Sequence, residues 1–226
     1  YLNKDCLMMS PENGQLVLIL CIAAAFLQTL VGMGFIKIPL ELQNRIIVNL
    51  VSVHTLGLIF AIVCLGYSFI TDDFSVLYVA QNSHTNLPVQ YKVAAIWGAH
   101  EGSLLLRVFL LSFWGLLLAF SRKFDQKTMD LKIKSLGFID LVSLGFIVFI
   151  LYTSNPYEVL FPIPDQGRSL NPLLQDPSLV IHPPRLYAGY VCLAVPFALA
   201  LASLITVKDE ALQYQWAGIA RVWTIT

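Results

Sequence analysis

Charge is what this 226-residue sequence has least of. Lys and Arg total 14, Asp and Glu total 14, and together they make up 12% of the chain, where a soluble domain carries about 25%. Formal net charge is zero, so no global field draws in nucleic acid or an anionic surface. Cysteine is scarce as well, with four residues in all. Cys21, Cys64 and Cys192 lie in apolar runs, Cys6 stands alone near the start, and no CxxC pair exists to make a thioredoxin-like redox site or a zinc site. The four read as small apolar packing residues. The sequence has no glycine-rich phosphate loop, no Ser–His–Asp constellation and no carboxylate pair at metal spacing. It has no internal repeat and no low-complexity linker. Residues 1–14 lack the basic start and the small-residue cleavage site of a signal peptide. These absences set aside hydrolases and nucleic-acid binding.

What is present is apolar. Hydrophobic residues make up 57% of the chain and mean hydropathy is +0.72. Between Glu12 and Lys37 lie 24 residues without a charge, and between Arg45 and Asp72 lie 26. As a helix, either run spans roughly 35 Å, more than a hydrocarbon core of about 30 Å. The pattern predicts an all-α, polytopic membrane bundle with spans at about 14–35, 46–70, 102–120, 135–153 and 186–207. Arg107 and Asp140 fall inside the third and fourth spans.

Segments 71–101 and 154–185 then share a face with the N-terminus, and segments 36–45 and 121–134 share the other with the tail 208–226. The first face holds Lys4, Lys92, Arg168 and Arg185. The second holds Lys37, Arg45, Arg122, Lys123, Lys127, Lys132, Lys134, Lys208 and Arg221. The positive-inside rule puts the second face in the cytoplasm or mitochondrial matrix and the N-terminus outside. Both long loops are then outside, and function is to be sought there. Loop 154–185 gathers Asn155-Pro156, Pro162-Ile163-Pro164, Gln166-Gly167 and Asn171-Pro172, a stiff, turn-rich connector rather than a helix.

His182-Pro183-Pro184 stands just before the fifth span. Pro183 pushes His182 out of the helical region, and paired prolines suit the start of a helix. Such a pinned imidazole at the mouth of the bundle is either an axial ligand for haem iron or an ordinary surface polar residue. In the other loop, Tyr91 and Trp97 fit an interfacial aromatic belt. His100-Glu101 is either a hydrogen-bonded cap on the third span, with Ser103 in its first turn, or a polar floor beneath a cofactor. Ionisable residues inside spans are functional hypotheses by default. Arg107 can snorkel outward to Glu101 or to a haem propionate. Asp140, near the inner end of its span, has Lys132 or Lys134 as the expected partner, and an Arg107–Asp140 pair is not expected. His54 reads as a buried, hydrogen-bonded histidine.

Longer blocks carry a resemblance. They are Val79-Ala80 with Asn82-Ser83 and Leu87-Pro88; Trp97-Gly98-Ala99-His100-Glu101-Gly102-Ser103-Leu104-Leu105-Leu106; Thr153-Ser154-Asn155-Pro156; and Leu170-Asn171-Pro172-Leu173-Leu174-Gln175-Asp176-Pro177. His182-Pro183-Pro184, Tyr187-Ala188-Gly189-Tyr190-Val191 and Pro196-Phe197-Ala198-Leu199-Ala200 continue the series. Along nearly its whole length the chain resembles the haem lyases of cytochrome c maturation, the CcmF family. The resemblance implies a multi-pass protein of a bacterial or mitochondrial inner membrane, in contact with membrane lipid. Such a protein takes haem from a membrane-anchored haem chaperone at the outer face. It holds the haem while the vinyl groups form thioether bonds to the CxxCH cysteines of apocytochrome c, which arrives with its thiol-reducing subunits. It also implies that His182 is the first of two outer-face histidines on the haem iron. Trp97, His100, Glu101 and Arg107, with Asn171, Gln175 and Asp176, would wall the pocket.

Two features depart from the family. The tryptophan-rich WWD segment is absent, since the only tryptophans are Trp97, Trp114, Trp216 and Trp223. The chain stops at Trp223-Thr224-Ile225-Thr226, at what reads as the entry to a further span. The expectation is therefore a fragment, or one piece of a lyase encoded in parts. The second outer histidine and two membrane histidines for a resident haem b would lie in the remaining portion. Arg107 also stands where an aromatic residue is expected. The rival reading is a non-catalytic haem-transport or scaffold subunit of a membrane complex. An ion-translocating subunit using His54, Arg107 and Asp140 is disfavoured, because those residues are not expected to share a depth and no span carries an interior Gly/Pro break.

Overall fold

A computed structural model describes residues 10–206 and 210–225. Lys4, Cys6 and Lys208, and the junction between the fifth span and the tail, lie outside the described residues. Helix α1, Pro11–Gly32, opens where the Ser10 hydroxyl accepts from the Asn13 amide at 3.4 Å, and Pro11 fills a first turn whose amide needs no partner. Helix α2, Leu40–Ile70, follows Pro39. Two short helices, α3 (Leu77–Asn82) and α4 (Val89–Ala95), lead to α5 (His100–Ala119) and α6 (Met129–Thr153). After a 3-10 turn at Pro172–Gln175 come α7 (Pro177–Val191), α8 (Ala194–Thr206) and α9 (Glu210–Ile225). Five stretches are long and apolar enough to cross a membrane: Pro11–Gly32, Leu40–Ile70, His100–Ala119, Met129–Thr153 and Val180–Thr206. The five-span, all-helical expectation holds. Among the described residues the only extended pairing is one antiparallel bridge, Val76 to Val159. Helix α6 begins six residues before the expected start of its span, because Lys134 and Asp130 pair at 2.7 Å one turn apart and support a polar first turn.

In lipid, association relies on close packing rather than on apolar burial alone. Helix α1 packs on α2 and α6, and α6 also packs on α5 and α8. Gly32 and Gly137 make the closest approach: a Cβ on Gly32 would sit 2.5 Å from the Gly137 Cα. Large side chains such as Leu20, Phe26, Leu56, Phe149 and Leu204 are exposed on the outside of the bundle, as lipid contact requires.

The two long loops are one layer. Leu77 donates to the Glu158 carbonyl at 2.8 Å and Leu160 to that of Ser75 at 2.7 Å. Arg168 donates to Ala80 at 2.8 Å and Ser169 to Ser83 at 3.0 Å. Lys92 Nζ meets both Asp72 carboxylate oxygens at 2.6 Å, tying α4 to the end of α2. Tyr78 donates to the Ala95 carbonyl at 2.9 Å, and burial holds its hydroxyl well above the usual range for ionisation, so it stays a donor.

One expectation about this layer is corrected. Segment 154–171 is turn-rich as expected, but the chain is helical well before span five, and Pro183 and Pro184 lie inside α7 rather than opening a helix. His182 is therefore in a helical turn. The start signal is Asp176-Pro177: the Asp176 carboxylate accepts from the Ser178 amide at 2.7 Å, and a proline follows in the first turn. Helical continuity would give Leu179 and Val180 the amides of residues 183 and 184, which proline lacks. The Val180 carbonyl is met instead by Trp97 Nε1 at 3.0 Å. At the α7–α8 break, Trp114 Nε1 meets the Ala188 carbonyl in the same way at 3.2 Å.

Candidate functional site

Helix α7 packs on α5 and on the 3-10 turn. Below it, Trp97, Gly98, His100, Leu174, Pro183 and Tyr187 line a cleft of about 210 Å³. The outward side of α7 is a stripe at i, i+3, i+4 and i+7: His182, Arg185, Leu186 and Gly189, all exposed. No described residue forms a hydrogen bond or ion pair with the His182 or Arg185 side chain. A Cβ on Gly189 would meet nothing within 4 Å. The stripe thus offers an unpartnered imidazole, a guanidinium, an aliphatic side chain and bare backbone on one surface.

Among the expected site residues, Trp97 and His100 line the cleft, and His182 sits beside it on the stripe. The others have different work. Arg107 does not reach Glu101: its Nη2 donates to the Tyr187 hydroxyl at 3.2 Å, with the guanidinium carbon 4.5 Å from the Tyr187 ring centroid. That stacking fastens α5 to α7 and is worth about 0.5–2 kcal/mol. Neither His100 nor Glu101 caps α5, because the cap residue is Ala99 and no side chain accepts there. Glu101 lies half-buried in the first turn, where the helix dipole favours a carboxylate. The Asn171 carbonyl accepts from the Leu174 amide at 2.8 Å, Gln175 Nε2 donates to the Leu170 carbonyl at 3.2 Å, and Asp176 caps α7. These last three build the turn that aims α7, and from their segment Leu174 reaches the cleft.

Inside the bundle, His54 is buried as expected. Asp140 pairs with neither Lys132 nor Lys134: its Oδ1 lies 3.6 Å from His54 Nδ1, and Lys134 turns to Asp130. His54 and Asp140 therefore do share a depth, which removes that objection to a polar centre in the membrane. Sequence reasoning missed Arg185, Leu186 and Gly189. The Asp176-Pro177 start signal would have placed them on one face with His182.

The chain matches the family described as Cytochrome C assembly protein over residues 97–224, more than half its length. It is 42% identical to the cytochrome c-type biogenesis protein CcmF of Pseudomonas fluorescens, over 95% of this chain and 32% of that protein. Against CcmF of Escherichia coli K12 the identity is also 42%, over 96% and 33%. Against NrfE of Haemophilus influenzae it is 44%, over 87% and 31%. A solved structure titled Cytochrome c Heme Lyase CcmF shares the fold with a TM-score of 0.77 at 24% identity, covering 95% of this chain and 33% of that one. The chain thus spans about a third of the length of these relatives. By the match over residues 97–224, it belongs to the cytochrome c assembly protein family.

Proposed function

We propose that this chain contributes half of a haem-holding site of a cytochrome c haem lyase, on the non-cytoplasmic face of an energy-transducing inner membrane. The observation that carries this is the exposed stripe on α7. It presents one unpartnered imidazole, His182, over a surface that a flat porphyrin fits. An exposed neutral imidazole is a ready iron ligand. Arg185, one turn along, supplies a cation for a propionate. Leu186 and the bare Gly189 backbone offer apolar contact with no side chain in the way. The cleft of about 210 Å³ is below the usual range for a small-molecule pocket of roughly 300–1,000 Å³, so it supports α7 rather than enclosing the ligand.

Bound haem supplies the vinyl carbons that become thioethers with the CxxCH cysteines of an apocytochrome c. The protein's part is to hold and orient. His182 would hold the haem through its iron, and Trp97, by taking the Val180 carbonyl, keeps the proline-broken helix in place. Arg107 and Tyr187 lock α7 to α5. The basic-residue count supports an outer position for this face, where a haem chaperone would deliver, an apocytochrome c with its thiol-reducing subunits would arrive, and the remaining part of the lyase would complete the site.

The test is His182→Ala in a cell that depends on this chain for its c-type cytochromes, scored for covalently bound haem. Loss of covalent haem, with partial recovery when imidazole fills the open coordination position, is the expected result. Unchanged covalent haem would overturn the reading and favour a scaffold.

A further inference from the structure

The bundle contains a second polar centre that haem holding at α7 does not use. Gln28 on α1, His54 on α2, and Asp140 and Ser143 on α6 are all buried. Gln28 Nε2 lies 3.3 Å from His54 Nδ1, and Asp140 Oδ1 lies 3.6 Å from the same nitrogen. One ring nitrogen thus faces an amide and a carboxyl, and it can serve only one of them in each proton state. If Nδ1 accepts from the amide, the carboxyl must carry its own proton. If Nδ1 carries the proton, it donates to the carboxylate. Four further atoms there have no partner among the protein's own groups: Gln28 Oε1, His54 Nε2, Asp140 Oδ2 and Ser143 Oγ. Buried polar atoms in such number imply bound water.

Few charged groups surround the arrangement. From α1 the facing titratable group is the Cys21 thiol, which donates to the His54 carbonyl at 3.8 Å. From α5, Ser112 shares a hydrogen bond with Thr55 at 2.7 Å, and the cation of that helix, Arg107, is engaged with Tyr187. Helix α8 presents Val195, Ala198, Leu199 and Ala202 to its neighbours. Lys132 lies two helical turns from Asp140, roughly 12 Å along α6. Among the described residues no Lys or Arg forms an ion pair with Asp140, so without the imidazolium a bare carboxylate would be an unpaired charge in a low dielectric.

We propose that His54 and Asp140 together bind one exchangeable proton, with water as their second ligand, and so form a proton-holding centre inside the membrane bundle. The proton moves between Asp140 Oδ1 and His54 Nδ1 without any change in the pair's total charge. This does not depend on the role of His182.

The test is infrared spectroscopy of the full chain in lipid nanodiscs, labelled with 13C-aspartate, in H2O and in D2O across the range from acid to alkaline. Labelling needs no substitution, so folding is not at stake. The expected result is a protonated-carboxyl carbonyl band at neutral pH that carries the aspartate isotope shift and moves in D2O. It should be lost in Asp140→Asn and displaced in His54→Gln. Absence of that band, whether from a permanent carboxylate or from a bound metal cation, would overturn the proposal, as would a band that never exchanges.

Discussion

His54 and His182 mark opposite regions of this molecule. His54 lies in a sealed interior where a carboxyl and an amide converge on one nitrogen. His182 lies on a helix face where no described residue forms a hydrogen bond or ion pair with its side chain. The first is held by its neighbours and is costly to remove. The second is bare and costs the fold little. Buried polar groups are retained because they are interlocked, whereas an unpartnered side chain on a rigidly mounted helix is free to meet a ligand.

Substitutions at the two sites should separate along that line. His182→Ala is expected to bring covalent c-type haem down to background in cells while shifting the unfolding free energy of the purified chain by less than about 0.5 kcal/mol. His54→Ala should instead destabilise the detergent-solubilised chain by about 2–3 kcal/mol, read as a fall in its unfolding midpoint, because it orphans Asp140 and Gln28. If His182→Ala were the more destabilising of the two, the contrast would be wrong. Trp97→Phe falls between them. It removes the N–H that meets the Val180 carbonyl and should cost about 1–2 kcal/mol, felt as faster amide exchange in α7 but not in α2. Arg185→Gln sharpens the stripe alone. An exposed ion pair is worth about 1 kcal/mol or less, so haem affinity should fall by no more than about fivefold, with stability untouched.

The smallest effect lies on the basic face. Asp125 is held below the usual carboxylate range, chiefly by the Thr128 hydroxyl and then by the Thr128 amide. Because its folded pKa is depressed, the loop contact is fully present above the unfolded value near 3.8. It is lost as pH falls through the lower folded value. Proteolysis between α5 and α6 should therefore stay slow from neutral pH down to about that unfolded value and rise only below it.

The spans were legible because length and the near absence of charge decide them, whatever the packing. Helix α2 reads as an uninterrupted apolar stretch and α6 as one interrupted by Asp140, and the inner ends of both are extended by a polar first turn. Helix α7 was not legible as drawn. The rules that proline opens helices and pushes its predecessor out of helical geometry are local, and here they lose to a cap at Asp176 and to an indole donated from Trp97, 83 residues away in sequence. The His54–Asp140 pair was equally hidden. Which faces of two almost wholly apolar helices meet depends on close contacts such as Gly32 on Gly137, and a single sequence carries no sign of that rotation. The candidate site was legible in its types, an outer histidine beside a tryptophan-containing loop, but not in its surface. Asn171, Gln175 and Asp176 shape the approach to α7, and the exposed stripe lies on the helix they support.

The most direct measurement is an optical titration of haem into the purified chain in lipid nanodiscs, comparing the wild type with His182→Ala. The account predicts a histidine-ligated haem spectrum for the wild type, lost in the variant and restored by free imidazole. The same spectrum and affinity in both proteins would contradict it.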